Sequence, residues 1–518
     1  MNKKIRIGSR GSDLALWQAH YFENALKQIG VDSEIIIITT KGDRIQHLSF
    51  DKIEGKGFFT KEIEEALLNE HVDVAIHSHK DLETQAPEGL KIAGVSYREN
   101  PSDLLLINPD AFDLSQPLHL KQNAIVGTSS ARRKGQITTL RPDVSIKDIR
   151  GNVPTRVNKL RTGSFDAILI AFAGIHRLQL DLSDLKVEEL DPRLFIPAPA
   201  QGVLAFQCRE HDDETTQIIQ QLHRSDIAEK ISIERSILSI FGGGCHIPIG
   251  AYAEKTNNAF DIRVSYATEW ENFNSRMRFS AQSLDEALAT FQHKRKSGYP
   301  KSVFFSRDLS ETSFFGRAAK AHNIDLHAQS LIKITPLAFT CSPDEFDVVF
   351  FSSSNAVHTF FEQEKSEDWQ HKSFATAGEA TAMSLNEYIS TIDFIGEGSE
   401  MSEVSSDFSE KFKGNRCLFP VSSKSLKTIQ QAIPEKFACN VVCYETSSVS
   451  LEIPTSEAYV FTSPSNVSAF LEAGNKIPEQ SDIIAIGSST AKALTAVGFN
   501  CKIAAIPHEA ELFALLAK

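Results

Sequence analysis

The feature that most constrains this chain is the alternation of strand-like and amphipathic helix-like segments along nearly all of its 518 residues. Residues 5–9, 35–40 and 73–78 have the composition of strands and are bounded by turn residues. Between them, residues 14–30 have helical periodicity and end at a glycine, and Thr60 is a suitable N-cap for a following helix. This alternation predicts α/β domains rather than an all-helical or all-β fold.

Length and composition limit the classes of protein that need to be considered. A chain of 518 residues exceeds one hydrophobic core, so roughly three to five domains are expected. No stretch approaches the roughly 20 apolar residues that span a bilayer, and the N-terminal segment has no apolar signal core, so we predict a cytoplasmic protein. The seven cysteines form no CxxC pair, which argues against a disulfide framework and a zinc ribbon.

The charge distribution predicts an anionic ligand in the first half of the chain. The net charge is -13, which should repel nucleic acid and anionic membranes. Residues 128–161 nevertheless contain nine Lys or Arg against two Asp. A nucleic-acid site in this segment is the weaker alternative, because aromatic residues are not interleaved with the basic ones.

Five arginines next to Gly, Ser or Asn turns are candidates to bind that ligand. A guanidinium holds a planar carboxylate through paired N–H bonds, so a ligand with several carboxylates favours several arginines at strand ends. Any one of them alone could be a solvated surface charge. The five are Arg10, Arg132, Arg133, Arg150 and Arg156.

The segment HSHKDL supplies a candidate catalytic carboxylate. Asp81 follows a buried-looking strand and Lys80, and in an arginine-rich cleft it should stay ionised and could stabilise positive charge on a substrate nitrogen. It could instead only cap the turn. His77 and His79 lack a third ligand at useful spacing, so we predict no metal site and neutral hydrogen-bonding histidines.

The segment FGGGCHIPIG presents Cys245 after three glycines, residues 242–244. Such a loop has little steric cover, so the thiol could be a nucleophile or the attachment point of a covalent group. A small buried cysteine in a tight turn is the alternative. A Cys-His protease pair with His246 is disfavoured, because adjacent residues of a strand point to opposite faces.

Residues 293–301 interrupt the periodicity with charge, Gly298 and Pro300, and we predict a linker there. Beyond it, strands run into Ser, Thr and Gly turns, and the segments FFSSSNAVHTFFE and VFTSPSNVSAFLE suggest a duplicated α/β half. Only Arg307, Arg317 and Arg416 follow Lys301. A polycarboxylate there would have to be bound by helix-start N–H groups and hydroxyls, although these turns could also be ordinary helix caps.

The motifs GSRGSDLALWQA, EGKGFFTKEIEEALL, DVAIHSHKDL, VGTSSARRKGQI, RGNVPTR, AQGVLAFQCR and GGGCHIPIGAY resemble porphobilinogen deaminase, or hydroxymethylbilane synthase, over roughly residues 4–290. The resemblance implies a dipyrromethane cofactor attached to Cys245 and Asp81 as the catalytic carboxylate. It implies that Lys56, Phe59 and Gln201 contact substrate. The residues expected to hold the acetate and propionate groups are Arg10, Ser12, Lys80, Ser130, Arg132, Arg133, Arg150 and Arg156.

Three loop residues depart from the family pattern. Asp13 and Glu83 stand where prolines are usual, and Ala200 stands where a glycine normally precedes the glutamine. These departures question the local loop shape and leave every charged catalytic position in place.

The second half resembles uroporphyrinogen-III synthase over roughly residues 302–518, through FSR, FSSSNAV, TAGEATA, LFP, VVCYET, VFTSPSNV and IGSSTAKAL. That family uses no metal or organic cofactor. The resemblance implies that Tyr444 assists loss of a hydroxyl as water. The residues expected to line the cleft are Ser354, Thr462, Ser463 and Thr490.

Together these resemblances imply a three-lobed deaminase, with two lobes like those of periplasmic binding proteins and a small α/β lobe, followed by a two-lobed α/β synthase. The expected deaminase lobes are residues 1–97 with 198–216, 98–197, and 217–292. After the linker, the expected synthase lobes are residues 302–338 with 450–518, and 339–449.

The expected function is a bifunctional, monomeric enzyme that condenses porphobilinogen and then cyclises hydroxymethylbilane to uroporphyrinogen III, without nucleic-acid or membrane partners.

 The alternatives are a deaminase whose second half is non-catalytic or regulatory, and a non-enzymatic anion receptor. A receptor would have an arginine-lined α/β cleft but no use for Asp81 or an exposed loop cysteine.

Overall fold

The computed structural model describes residues 4–40, 60–243, 247–396, 401–425 and 427–518. The predictions for Lys56, Phe59 and Cys245 concern positions outside these described residues. The chain is α/β, as the alternation predicted, and forms two compact units. The first unit contains the described residues up to Phe112, Lys121–Tyr299 and Phe513–Lys518, and the second contains Asp113–Leu120 and Pro300–Leu512.

The strands and helices of residues 4–299 are numbered in chain order over the described residues. The strands are β1 (Ile5–Ser9), β2 (Ser33–Ile37), β3 (Val74–Ser78), β4 (Leu90–Arg98), β5 (Asp103–Ile107), β6 (Ile125–Gly127), β7 (Ser145–Lys147), β8 (Ala167–Ala171), β9 (Lys186–Leu190), β10 (Val203–Arg209), β11 (Ile249–Thr256), β12 (Ala259–Tyr266) and β13 (Ser275–Ala281). The helices are α1 (Asp13–Gln28), α2 (Lys61–Leu68), α3 (Ala131–Leu140), α4 (Val153–Arg161), α5 (Phe172–Leu178), α6 (Asp213–Gln220), α7 (Ser225–Ile240) and α8 (Leu284–Ser297).

The remaining elements continue the same numbering. The strands are β14 (Ser302–Phe305), β15 (Asp325–Ala328), β16 (Ile332–Pro336), β17 (Val348–Phe351), β18 (Ser373–Thr376), β19 (Phe394–Ile395), β20 (Cys417–Ser422), β21 (Ala438–Ser448), β22 (Ala458–Phe461), β23 (Asp482–Ala485) and β24 (Lys502–Ile503). The helices are α9 (Phe314–Ala321), α10 (Ser354–Phe361), α11 (Ser366–Trp369), α12 (Glu379–Asn386), α13 (Met401–Lys411), α14 (Pro464–Glu472), α15 (Ser488–Ala496) and α16 (Glu509–Ala514).

Two five-stranded sheets form the first two lobes of the first unit. Sheet A has the order β2-β1-β3-β10-β4, and sheet B has the order β7-β6-β8-β5-β9. β5 and β8 are buried at every position, which explains why their sequences, DLLLI and AILIA, are almost continuously apolar. The chain passes from sheet A to sheet B between β4 and β5 and returns between β9 and β10, so two connections join these lobes.

A third lobe contains sheet C, in which β11, β12 and β13 form an antiparallel meander. Its core includes Ile237 from α7 and Phe291 from α8. Residues 293–297 of the predicted linker belong to α8, which ends where Gly298 adopts a φ of 72°. Helical periodicity therefore continues further than the charged sequence suggested.

Residues Phe513–Lys518 complete this third lobe, although the sequence analysis assigned them to the second half. Phe513 stacks on Tyr299 with a ring-centroid distance of 4.5 Å, and Ala517 packs in the same core as sheet C. The Lys294 ammonium donates to the carbonyl oxygen of Ala517 at 2.8 Å, and the Lys518 N–H donates to Gly298 at 2.9 Å.

The second unit is built around two further sheets. Sheet D is fully parallel in the order β15-β14-β22-β23-β24. Sheet E has the order β16-β21-β20-β17-β18-β19, with only the β16–β21 pair antiparallel among the described strands. β16 lies in sheet E, whereas the predicted boundary placed residues 302–338 with the lobe of sheet D. Within the described part of the chain, no helix is both long enough and apolar enough to cross a membrane.

Candidate functional site

Asp81 ends a short 3-10 turn, His79–Asp81, that follows β3, the central strand of sheet A. Its carboxylate is exposed, whereas the neighbouring Lys80 is half-buried and donates from Nζ to Gln201 Oε1 at 3.3 Å. The turn therefore places an accessible carboxylate next to an ammonium group that is bound by Gln201.

Arginines of the second lobe lie in the electrostatic field of this turn. Burial, and next to it the charge of Arg133, lowers the pKa of Arg156 to about 10, while Asp81 acts in the opposite direction and Arg150 in the same direction. Arg156 is on α4 and also donates from Nε to the Gly151 carbonyl at 2.8 Å. The charge of Asp81 from the first lobe thus acts on Arg156 of the second lobe.

Lys80 belongs to the same cluster. Burial, followed by the charge of Arg133, lowers the pKa of Lys80 to about 8, while Asp81 and Asp103 oppose that shift. The pKa values of Lys80 and Arg156 are lowered by the same two causes, first burial and then the positive charge of Arg133. Such a cluster favours a ligand with several negative charges.

Arg132 and Arg133 are more deeply buried than their predicted ligand-binding role requires, with 5% and 7% exposure. Both begin α3 and donate to the carboxylate of Asp103, from Arg132 Nη1 at 2.7 Å and from Arg133 Nη2 at 2.7 Å. Arg132 also donates to the Ile196 carbonyl at 3.0 Å, and Arg133 to the Leu169 carbonyl at 3.2 Å. Asp103 was not among the residues predicted from the sequence, although an acidic residue at the start of the apolar strand DLLLI indicates a buried partner.

Gln201 was predicted to contact substrate and is fully buried in the structure. Its Nε2 donates to the carbonyl of Pro101 at 2.6 Å and to Asp103 Oδ1 at 3.1 Å. The preceding Ala200 keeps a left-handed φ of 61°, a conformation that glycine favours, and its N–H donates to Glu234 at 2.8 Å. The loop with the alanine therefore retains the backbone shape expected of a glycine.

The remaining predicted polar residues of the first unit lie at helix starts or strand ends. Ser12 is the N-cap residue of α1 but makes no side-chain capping hydrogen bond. Ser130 caps α3 by accepting from the Arg133 N–H at 3.5 Å. Arg10 and Arg150 are half-buried, and the charge of Arg10 acts on His77.

The two histidines of HSHKDL are neutral. Burial lowers the pKa of His77 to about 4, and its Nε2 pairs with Gln207 Oε1 at 3.0 Å. Burial, with the charge of Arg235, also lowers the pKa of His79 well below its ordinary value. In the described ranges, no group of three or more His, Cys, Asp or Glu could hold a metal ion.

The helix that leads towards Cys245 contacts the Asp81 turn. Arg235, on α7, donates from Nη1 to the carbonyl oxygens of His79 at 3.0 Å and Leu82 at 3.3 Å, and from Nη2 to that of Glu83. After α7, Gly243 lies so close to Thr84 that a Cβ at position 243 would be 2.2 Å from the threonine Oγ1. The residues on either side of Asp81 are therefore fixed by the lobe whose sequence carries Cys245.

In the second unit, Tyr444 lies on β21 with 8% exposure and its hydroxyl is 3.3 Å from Ser353 Oγ. Burial raises the pKa of Tyr444, so the phenol keeps its proton. The predicted residue was the neighbouring Ser354, whose Oγ donates to the Ala380 carbonyl at 3.4 Å, whereas Ser353 was not predicted. Ser353 is the N-cap residue of α10, a position that its place before the helix could have indicated.

The other three predicted residues of the second unit lie where strands of sheet D end. Thr462 contacts Ser306 through their hydroxyls at 3.3 Å, and Ser463 caps α14 by accepting from the Asn466 N–H at 3.2 Å. Thr490, in the first turn of α15, is 1% exposed, and among the described atoms its hydroxyl has no hydrogen-bond partner. β22 and β23 are parallel neighbours, so these hydroxyls share one edge of sheet D.

Three family models match the chain. Residues 5–217 match the dipyrromethane cofactor binding domain of porphobilinogen deaminase, and residues 228–268 match the C-terminal domain of the same family. Residues 315–517 match uroporphyrinogen-III synthase HemD.

Curated relatives match the first half. The porphobilinogen deaminase of Oceanobacillus iheyensis is 43% identical over 253 residues, which cover 48% of this chain and 80% of the relative. That of Maridesulfovibrio salexigens is 44% identical over 255 residues, covering 49% and 80%. Among solved structures, the uroporphyrinogen-III synthetase from Helicobacter pylori is similar at 20% identity and a TM-score of 0.33, over 41% of this chain and 96% of that one. The chain therefore belongs to the porphobilinogen deaminase family, and its second half carries a uroporphyrinogen-III synthase region.

Proposed function

We propose that the first unit condenses porphobilinogen, with release of ammonia, into linear hydroxymethylbilane, and that the second unit cyclises this product with inversion of the last ring to uroporphyrinogen III. The observation that carries the proposal is the grouping of the exposed Asp81 with Lys80 and Arg156, which come from two different lobes. The carboxylate of Asp81 can stabilise positive charge on a pyrrole nitrogen. The cations can bind the acidic side chains of the same pyrrole.

The residues of the cleft fit a dipyrromethane bearing several carboxylates. Arg132 Nε is buried without a hydrogen-bond partner among the described atoms, and the pKa values of Lys80 and Arg156 are lowered by burial and neighbouring positive charge. Negative charge placed there would offset both effects. We propose that Cys245 carries the dipyrromethane as a thioether. Its carboxylates would be held by Arg10, Ser12, Lys80, Ser130, Arg132, Arg133, Arg150 and Arg156. When bound, this group would supply the free pyrrole carbon to which the first ring is joined, and each later ring would be joined to the end of the growing chain.

We assign to Asp81 the stabilisation of positive charge on the substrate. As ammonia leaves porphobilinogen, positive charge develops on the conjugated pyrrole nitrogen, and a fixed carboxylate lowers the energy of that species. Bidentate arginines hold the acetate and propionate groups so that the reacting carbons approach in one orientation. Arg235 keeps the Asp81 turn in place through the carbonyl oxygens on either side of it.

Gly243, two residues before Cys245 in sequence, lies beside the turn that carries Asp81. Gly243 packs against Thr84, three residues after Asp81, and a side chain at position 243 would collide with it.

For the second unit, we assign Tyr444 to proton donation. Its raised pKa keeps the phenol protonated, and Ser353 orients the hydroxyl. A protonated phenol can hydrogen-bond the hydroxyl of hydroxymethylbilane as it leaves as water. Ser354, Thr462, Ser463 and Thr490 would bind the carboxylates through hydroxyls and helix-start N–H groups, since Arg307 is paired with Glu509 at 2.5 Å.

The test is to supply the purified full chain with porphobilinogen and to separate the uroporphyrinogen isomers. The wild-type protein should yield mainly type III, and its intact mass should include a covalent dipyrromethane. Cys245→Ser should lack that mass and make no tetrapyrrole. Tyr444→Phe should keep making hydroxymethylbilane but lose about tenfold or more in type III formation.

Each outcome separates the alternatives. Exclusive formation of type I, the product of spontaneous closure, would show that the second half is not a synthase and would leave a deaminase with a non-catalytic domain. Unmodified Cys245 in a protein without condensation activity would favour an anion receptor.

The compartment and partners are part of the same proposal. Cys208, Cys341, Cys417, Cys439, Cys443 and Cys501 are free thiols, which suits a reducing cytoplasm. We propose a monomer that acts on small-molecule substrates, without nucleic acid or membrane partners.

A further inference from the structure

A buried carboxylate lies directly behind the cationic cluster of the first unit. Asp103, the first residue of β5, is fully buried. It accepts hydrogen bonds from Arg132 Nη1 at 2.7 Å, from Arg133 Nε at 3.0 Å and Nη2 at 2.7 Å, and from Gln201 Nε2 at 3.1 Å. Although burial alone would raise the pKa of Asp103, the two guanidiniums hold it well below its usual range. The group is therefore a permanent negative charge.

Gln201 connects this carboxylate to the other lobe. Its Oε1 accepts from Lys80 Nζ at 3.3 Å, and Lys80 immediately precedes Asp81 beside sheet A. Its Nε2 also donates to the Pro101 carbonyl at 2.6 Å. Pro101 lies on the outgoing connection between the lobes and Gln201 on the returning one, so a single amide ties both connections to Asp103 and Lys80.

Stability alone is a poor explanation for this arrangement. Removing charged groups from water costs roughly as much as their attraction returns, so a buried ion pair is weak evidence of stabilisation. The third lobe offers a comparison, because Asp261 also pairs with two arginines, Arg263 at 2.8 Å and Arg278 at 3.0 Å. That cluster lies within sheet C, whereas the Asp103 cluster holds residues of the candidate site.

We propose that Asp103 is a positioning residue for porphobilinogen condensation. It fixes the guanidiniums of Arg132 and Arg133 and, through Gln201, the ammonium of Lys80, so that cations from both lobes meet the substrate carboxylates in one arrangement. This inference rests on the proposed function and assigns no direct contact between Asp103 and substrate.

The test compares Asp103→Asn with the matched variant Asp261→Asn, each in the full chain loaded with its dipyrromethane. For Asp103→Asn, the KM for porphobilinogen should rise about tenfold or more, because the carboxylate-binding cations are no longer held in place. The alkaline limb of kcat/KM should move to lower pH, because Lys80 loses a negative charge that raises its pKa. Asp261→Asn should change neither quantity.

A conservative variant distinguishes the effect of the negative charge at residue 103 from the effect of its exact position. Asp103→Glu keeps the negative charge, so its alkaline limb should stay at the wild-type pH while its KM lies between those of the wild type and Asp103→Asn. A folded Asp103→Asn protein that lacks the covalent dipyrromethane, beside a fully loaded Asp261→Asn protein, would also support the inference. Wild-type KM and pH profile in Asp103→Asn would overturn it.

Gln201→Leu covers the case in which Asp103→Asn does not fold. It removes the hydrogen bonds of the amide to Lys80, Asp103 and Pro101 but leaves the pairs between Asp103 and the two arginines, so the alkaline limb should again move to lower pH. An unchanged limb would refute the relay. Failure of the wild-type chain to condense porphobilinogen would refute the proposed function itself. An active wild type with Asp103→Asn behaving like Asp261→Asn would refute this inference alone.

Discussion

Arg235 shows how one side chain can determine the position of another without touching it. Its guanidinium donates to backbone carbonyls at positions 79, 82 and 83, which surround Asp81 on both sides. Asp81 itself is exposed and would otherwise be held only by its own short turn. The position of the Asp81 carboxylate therefore depends on a residue of the third lobe.

Replacing Arg235 should consequently impair catalysis more than binding. We expect Arg235→Gln to lower kcat about 10-fold to 100-fold, because a displacement of about 1 Å in a catalytic group has effects of that size. The KM for porphobilinogen should change less, since the carboxylate-binding cations remain. Steady-state kinetics would measure both.

Arg224→Gln is a suitable control, because Arg224 forms an exposed pair with Asp226 at 3.1 Å. It should keep the wild-type kcat. An Arg235→Gln variant with wild-type kcat would show that the Asp81 turn holds its own position.

At the scale of elements, the two similar segments of the second half have the same local structure. β17 leads through Ser353 into α10, and β22 leads through Ser463 into α14. Ser353 has φ −159° and ψ 153°, and Ser463 has φ −160° and ψ 156°; each accepts a hydrogen bond from a first-turn N–H at 3.2 Å. The repeated sequence is therefore a repeated strand-cap-helix element.

Equal caps should contribute equally to stability. We expect Ser353→Ala and Ser463→Ala each to lower the free energy of unfolding of the second unit by about 1 kcal/mol, because each loses a side-chain acceptor at a helix start. Chemical denaturation would measure the change. Ser406→Ala, at an exposed position inside α13, should be neutral or slightly stabilising. A loss in one cap variant but not in the other would contradict the equivalence of the two elements.

Elements with a strong local signal could be predicted from the sequence, and those that depend on distant partners could not. The α/β fold follows from apolar runs such as β5 and β8 and from amphipathic helices such as α2. The placement of β16 in sheet E depends on pairing with β21, more than a hundred residues away. Likewise, the turns that carry Arg132 and Arg133 were recognisable, but their burial against Asp103 arises only when β5 and α3 pack together.

At the scale of the whole molecule, the third lobe is completed by residues far along the chain. Phe513 and Ala517 are buried beside Tyr299 and the core of sheet C. Both positions lie at the end of the region that matches the synthase family, yet they belong to the first unit.

A substitution at Phe513 should therefore destabilise the deaminase part. We expect Phe513→Ala to lower the free energy of unfolding of the first unit by about 3–5 kcal/mol, because a fully buried aromatic side chain is removed. Denaturant titration followed by the loss of deaminase activity would measure it. Ile503→Ala, whose side chain is 46% exposed, should change the stability by no more than about 0.5 kcal/mol. Equal effects of the two substitutions would contradict a structural role for Phe513.

The stacking of Phe513 on Tyr299 affects whether the two halves of the protein can be encoded by separate genes. Dividing the coding sequence near codon 300 would give an upstream product whose third lobe lacks part of its hydrophobic interior. Two separate genes made in this way would not restore the parent protein unless the upstream gene also acquired a replacement for that segment. The packing thus makes the third lobe depend on residues that are encoded after the second half of the protein.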